Sequence, residues 1–197
     1  MNNRIIQGFG LTLVGLLFTA TSAFAGNYSL DTTHSEVGFS VKYMMVSSTS
    51  GKFDKFTVDA TLDENDLGKS SVTVVIDATT INTENAKRDG HLKAPDFFDV
   101  EKHPELKFVS TGLVKDGAAW KLNGNLTMRG VTKPVSLKAE ISDTIKNPWG
   151  DLVRGVKVRG VLKRSDFGLK WNKALETGGV LVSDDVSLEI DLTLKKQ

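Results

Sequence analysis

The sequence predicts an all-β protein in which eight antiparallel strands close into a barrel, with one short helical insertion between the third and fourth strands. Three observations predict it. Apolar residues recur with period two along most of the chain, the mark of strands with one face buried. The breaks between these runs carry turn residues. A single stretch, Thr83 to Asp99 (TENAKRDGHLKAPDFFD), fits neither pattern.

The chain opens with Arg4 in a short polar lead, an apolar run through Leu11, Leu13, Val14, Leu16, Leu17 and Phe18, and then Ala23-Phe24-Ala25. This order matches the three regions of a secretory signal peptide, so residues 1–25 are expected to be cleaved and residues 26–197 to fold as one periplasmic domain. The alternative is a membrane anchor. However, the apolar core is shorter than the roughly 20 residues that a spanning helix needs. No integral membrane segment is therefore expected in the mature chain.

The first strand alternates Val37, Phe39, Val41 and Tyr43 with Ser40 and Lys42. The second alternates Phe56, Val58, Ala60 and Leu62 with Thr57, Asp59 and Thr61. Six more follow: Val72 to Ile76, Leu106 to Phe108, Trp120 to Met128, Val135 to Ile141, Val156 to Leu162 and Val186 to Leu194. Between them stand Ser50-Gly51, Asn65 to Gly68, Asp116-Gly117, Arg129-Gly130, Asn147-Pro148-Trp149-Gly150 and Gly178-Gly179, which supply the dihedral angles that reversals need. Short turns between sequential strands predict an antiparallel meander.

In the interruption, Thr83 is the expected N-cap of a helix from about Glu84 to Lys93 that ends before Pro95. Arg88 and Leu92 would share a face, with His91 beside Arg88, so a cationic spot would adjoin an apolar edge. Phe97 and Phe98 are adjacent, and on extended backbone they would face opposite ways.

Period two alone leaves three closures open: a sandwich, a barrel packed or hollow inside, and a membrane barrel with its apolar face outward. A membrane barrel of eight strands would crowd the Lys, Asp and Glu of the polar rows into a narrow lumen. The reverse arrangement turns Val, Leu and Phe inward and makes an apolar lumen wide enough for side chains or one small ligand.

Composition removes several classes of function. Of 25 Lys and Arg only Arg4 lies in the leader, so 24 basic residues face 24 acidic ones. That balance offers no electrostatic case for nucleic acid. Without cysteine, the chain has no disulfide, thiolate nucleophile or thiolate metal site. His34, His91 and His103 lie far apart in sequence and lack metal-ligand spacing, and neighbouring Asp31, His34 and Ser35 cannot form a catalytic triad among themselves. No phosphate-cradling glycine motif occurs. No catalytic residue, metal or cofactor is therefore predicted.

Arg88-Asp89-Gly90-His91-Leu92, followed by Asp96-Phe97-Phe98-Asp99, resembles the signature of the YceI family, the bacterial polyisoprenoid-binding, lipocalin-like proteins. Further similarity runs through Asp31 to Ser35, Gly51-Lys52-Phe53, Ile81-Asn82-Thr83, His103-Pro104, Leu126 to Val135, Arg164 to Gly168 and Ser183 to Val186, covering residues 28 to 194. The resemblance implies a lipocalin-like barrel whose apolar interior holds a long isoprenoid or similar lipid, with the helical insertion near the cavity. The expected role is transport, storage or protection of that lipid. The alternative is an enzyme or redox partner acting on a bound isoprenoid quinone. The expected wall is Phe39, Val41, Phe56, Val58, Phe98, Phe108, Leu126, Leu137, Val158, Phe167 and Leu188, with Arg88 and His91 at the head group. Arg88 and Asp89 have a second reading, an ion pair that fixes the insertion. Homo-oligomerisation is left open.

Overall fold

The computed structural model describes residues 25–176 and 178–197. The expected leader therefore lies outside the described residues, apart from Ala25. In chain order the elements are β1 (Ala25–Leu30), β2 (Glu36–Tyr43), β3 (Ser47–Phe53), β4 (Phe56–Asp63), β5 (Ser71–Asp77), β6 (Ile81–Asn82), α1 (Ala86–Lys93), β7 (Glu105–Asp116), β8 (Ala119–Met128), β9 (Val131–Ile141), β10 (Ile145–Lys146), β11 (Leu152–Lys163) and β12 (Val182–Lys196).

These twelve segments form eight courses. β1 runs on into β2, β3 into β4, β5 into β6 and β9 into β10, and each pair of segments follows one path with a local break. The course β1–β2 lies against β3–β4, because β1 pairs with β4 and β2 with β3. The course β5–β6 lies against β3–β4 in the same way. β7, β8, β9, β11 and β12 then follow as antiparallel neighbours. β12 closes the ring, pairing with β11 along one edge and with both β1 and β2 along the other. The predicted eight-stranded antiparallel barrel is the structure found.

The breaks have local causes. Asp31 accepts hydrogen bonds from the backbone N–H groups of Thr33 and His34, winding one short turn between β1 and β2. Asp77 does the same for Thr79 between β5 and β6. Such side chains offer the backbone an alternative to the sheet ladder. Sequence periodicity overlooked β1, and it also overlooked β3, whose SSTSGKF carries little apolar alternation.

Every course turns its apolar row inward. Along β11 the residues that line the lumen are Val156, Val158 and Leu162, and Val158 is 5% exposed. The outward rows carry charge, with ion pairs between Lys138 and Glu140 and between Arg159 and Asp191, both at 2.8 Å. This is the reverse of a lipid-facing barrel, which shows an apolar band outside. No described helix is long and apolar enough to cross a membrane.

Two glycines make room for lumen side chains. A Cβ on Gly124 would strike the ring of Phe108, and one on Gly160 would stand 2.5 Å from Leu137 Cδ2. Phe108 and Leu137 can therefore lie flat across the neighbouring strands.

Candidate ligand cavity

The inward rows do not fill the barrel. They leave a cavity of about 240 Å³, lined almost wholly by aliphatic and aromatic side chains. Ten of the predicted wall residues line it: Phe39, Val41, Val58, Phe98, Phe108, Leu126, Leu137, Val158, Phe167 and Leu188. Phe56 does not. It follows the break at Asp54 and Lys55, packs between two core clusters, and shows its free face to a polar crease on the outside.

One end of the barrel carries the turns 44–46, 129–130 and 164–181 together with the interruption, and it forms the mouth. Helix α1 lies there, capped by Asn85 rather than by Thr83, with the Arg88 N–H donating to Asn85 Oδ1 at 3.0 Å. Glu84 stands outside the helix with a φ of 60°. Thr83 has a different task. Buried to 5% exposure, it donates its N–H and its hydroxyl to Asp89 Oδ1. It also accepts from Arg88, whose Nε reaches Thr83 Oγ1 at 2.7 Å and whose Nη2 reaches the Thr83 carbonyl at 2.8 Å.

Arg88 therefore does not line the cavity, and it meets Asp89 through Thr83 rather than as a direct ion pair. His91 is also outside the lining. Its ring packs edge-on against Phe97 and Trp171, and its Nε2 lies 3.1 Å from Asp96 Oδ2. In this structure both residues anchor the helix. Neither reaches into the lumen as a head-group ligand.

Phe97 and Phe98 both line the cavity, contrary to the expectation that adjacent aromatics face opposite ways. That expectation assumed extended backbone. The segment is instead a series of tight turns, in which the Phe97 N–H donates to the Ala94 carbonyl and the Phe98 N–H to the Leu92 carbonyl, both at 3.0 Å. Leu92 adds an aliphatic face from α1, and Phe98 meets Phe53 edge-on at 5.9 Å. Arg129 braces this stopper, donating to the Pro95 carbonyl at 2.7 Å and to the Gly168 carbonyl.

Sequence reasoning missed two charged residues on the inward row of β11 and just beyond it: Arg154 at the end opposite the mouth and Arg164 at the mouth. Both are buried. Arg164 donates to the carbonyls of Ser183, Leu169, Trp171 and Val182, so it pins the 164–183 segment. Burial pulls its guanidinium below the ordinary value, while the Asp184 carboxylate works against that shift. The signal was present in the sequence, because both arginines share the even-numbered register of Val156, Val158 and Leu162.

At the end opposite the mouth, Tyr28 donates its hydroxyl to Glu64 at 3.0 Å and Lys196 pairs with the same oxygen at 2.6 Å. Lys196 first, and then Tyr28, hold the Glu64 carboxyl below the usual carboxylate value. Among the described residues no three His, Asp or Glu side chains converge as a metal site.

A closed antiparallel barrel with apolar rows turned inward, a hollow lumen and a helical stopper across one mouth defines a lipocalin-like cavity protein. Residues 28–194 match the YceI-like domain, and the chain belongs to that family. A UPF0312 protein of Photorhabdus laumondii is 40% identical over 163 residues, spanning 82% of this chain and 85% of its own. One from Staphylococcus aureus is 38% identical over 164 residues, spanning 83% of this chain and 94% of its own. A YceI protein of Campylobacter jejuni of known structure superposes with a TM-score of 0.69 at 32% identity, covering 86% of this chain and 98% of that one. A polyisoprenoid binding domain from Saccharophagus degradans shares the fold, with a TM-score of 0.60 at 18% identity over 86% of this chain and 98% of that one.

Proposed function

We propose that the protein is a periplasmic binding protein that holds one long-chain apolar ligand, a polyisoprenoid or similar lipid, in the barrel for transport, storage or protection. The observation that carries this reading is the continuous apolar lining of a 240 Å³ cavity beneath an aromatic stopper. The leader-like residues 1–25 support the compartment. The shared fold with a polyisoprenoid binding domain supports the ligand class.

The physical basis is burial. Each methylene withdrawn from water contributes roughly 0.8 kcal/mol, so several isoprene units offset the several kcal/mol lost on association. The cavity falls below the roughly 300–1,000 Å³ of drug-sized pockets, which favours a slender chain over a wide polycyclic ligand. The wall presents methyl, methylene and phenyl groups, which neither attack nor transfer protons, so the reading is binding rather than catalysis.

Protein recovered from osmotic-shock fluid and extracted with organic solvent should release a long-chain lipid visible by mass spectrometry. Clean extracts, together with no uptake of prenyl quinones by the purified protein, would sink the reading. Turnover of a bound quinone would instead place the protein among enzymes.

A further inference from the structure

The hairpin that joins β2 to β3 ends in four apolar residues that break the usual rules for such a turn. Tyr43, Met44, Met45 and Val46 are all exposed, Met45 to 68% and Val46 to 82%. Met44 and Met45 also carry positive φ angles of 50° and 62°. Positive φ at both central residues belongs to tight hairpin turns in which Asn-Gly is the favoured pair, because a Cβ there crowds the following carbonyl oxygen. The turn is nevertheless fixed. The Val46 N–H donates to the Tyr43 carbonyl at 3.1 Å, and the Met44 N–H donates to the Leu181 carbonyl at 2.8 Å, which ties the tip to the segment from Lys173 to Leu181. Apolar side chains held in water on a strained backbone help neither folding nor solubility. Backbone strain of this kind gathers at functional segments, and exposed apolar clusters mark contact surfaces.

The tip stands at the rim of the cavity. Tyr43 lies on the same face of β2 as Phe39 and Val41, which line the cavity, and it pairs with Val182, which lines it too. Val180 extends the patch on the adjoining segment, where it bridges Ala174 and is exposed. The charge around the patch is positive. Lys42 and Lys173 flank it and are exposed, residues 42–49 hold no acid, and Glu176 is the one acid of residues 170–181. Asp184 and Asp185, further along β12, are engaged by Ser165 and Lys163.

We infer that this tip docks the mouth of the barrel on a lipid bilayer. Met44, Met45 and Val46 enter the boundary between head groups and acyl chains, and Lys42 and Lys173 meet anionic head groups. Three features favour a bilayer over a protein. The patch is a narrow tip, whereas a stable protein contact takes about 20–30 residues a side. Methionine side chains are flexible and polarisable and so adapt to a fluid layer. Lysines on long stems keep their charge at head-group level while their apolar neighbours go deeper. The purpose of the docking rests on the lipid-cavity reading: a long-chain ligand that leaves the bilayer beneath the mouth need not cross water.

Vesicle flotation tests the docking without any cavity ligand. The purified protein should float with vesicles of equal parts phosphatidylcholine and phosphatidylglycerol, and less with vesicles of phosphatidylcholine alone. Met44→Asn/Met45→Gly gives the turn its favoured pair, so its urea midpoint should be no lower than that of wild type. Its partition into vesicles should nonetheless fall at least about tenfold, because two apolar side chains no longer leave water. Lys42→Gln/Lys173→Gln should remove the preference for phosphatidylglycerol. Failure of the wild-type protein to float, or flotation unchanged by Met44→Asn/Met45→Gly, overturns the inference. So does a wild-type dimer in sedimentation that the same double variant dissociates, which would give the tip to a second copy of the chain. Uptake of a prenyl quinone separates the two readings. From vesicles, the methionine double variant should load at least about tenfold more slowly and reach the same final occupancy, and equal rates overturn the inference. No uptake by either protein, with wild-type flotation intact, overturns the lipid-cavity reading and leaves the docking standing.

Discussion

His91 meets Trp171 edge-on, with ring centroids 4.9 Å apart and planes at 87°, and it also meets Phe97 edge-on at 4.9 Å and 89°. One imidazole thus joins the helix over the mouth to the segment that Arg164 pins. Trp171 and Phe97 complete the triangle at 5.3 Å. The stopper is held to the barrel by side chains from distant parts of the chain, so its opening is a packing event as well as a backbone one.

His91→Ala should loosen that joint. Two edge-to-face contacts are removed at a partly exposed position, which lowers stability by about 1 kcal/mol in urea denaturation. A fluorescent fatty acid should also dissociate faster in stopped flow. An unchanged release rate would show that the ligand passes elsewhere.

Thr83→Val should cost more, about 1–3 kcal/mol, because it removes the hydroxyl that serves both Arg88 and Asp89. Arg88→Ala should lower stability without discriminating between ligands: affinities for geranylgeranyl phosphate and geranylgeraniol should fall by the same factor. A selective loss of the phosphate would return Arg88 to the head-group role.

Gly124→Val should push Phe108 into the lumen, since a Cβ at Gly124 already overlaps that ring. Overpacking of this kind costs about 1–3 kcal/mol. Prenyl ligand uptake should be lost while the β-rich circular dichroism spectrum is kept. Full uptake by this variant would show that Phe108 can move aside and that the cavity is larger in solution.

Acid should destabilise the protein through Glu64 and Asp184. Lys196 and then Tyr28 hold the Glu64 carboxyl low. For Asp184, burial pushes upward, but the Ser165 hydroxyl and N–H, together with Arg164, outweigh it and the value falls. A carboxyl whose folded value lies below its unfolded one stabilises fully above the unfolded value, about pH 4, and loses that contribution as pH drops through the folded value. Urea midpoints should therefore fall below about pH 4. Glu64→Gln should flatten part of that slope, and a slope identical to wild type would remove Glu64 from the account.

Most of the architecture was legible because strand alternation is a local property. Val156, Val158 and Leu162 announce an inward row whatever surrounds them. The same rule placed eight strand residues of the wall on the lumen and failed at Phe56, where a two-residue break separates β3 from β4. It failed also at Phe97 and Phe98, where turns replace extended backbone. β3 escaped notice because Ser47 to Gly51 carry no apolar alternation and are placed by pairing with β2.

The sequence by itself determined which rows face inward, that the lumen is apolar, and that a short helix interrupts the meander. Only the tertiary structure decided which polar side chains are spoken for. Arg88 reads as a ligand group until Thr83 is seen in its grasp. Arg154 and Arg164 read alike until one is found among four carbonyls and the other beside a single threonine hydroxyl. A residue's face follows from the backbone repeat of its own strand, but the acceptors that satisfy its donors come from other segments, brought within reach only when the barrel closes.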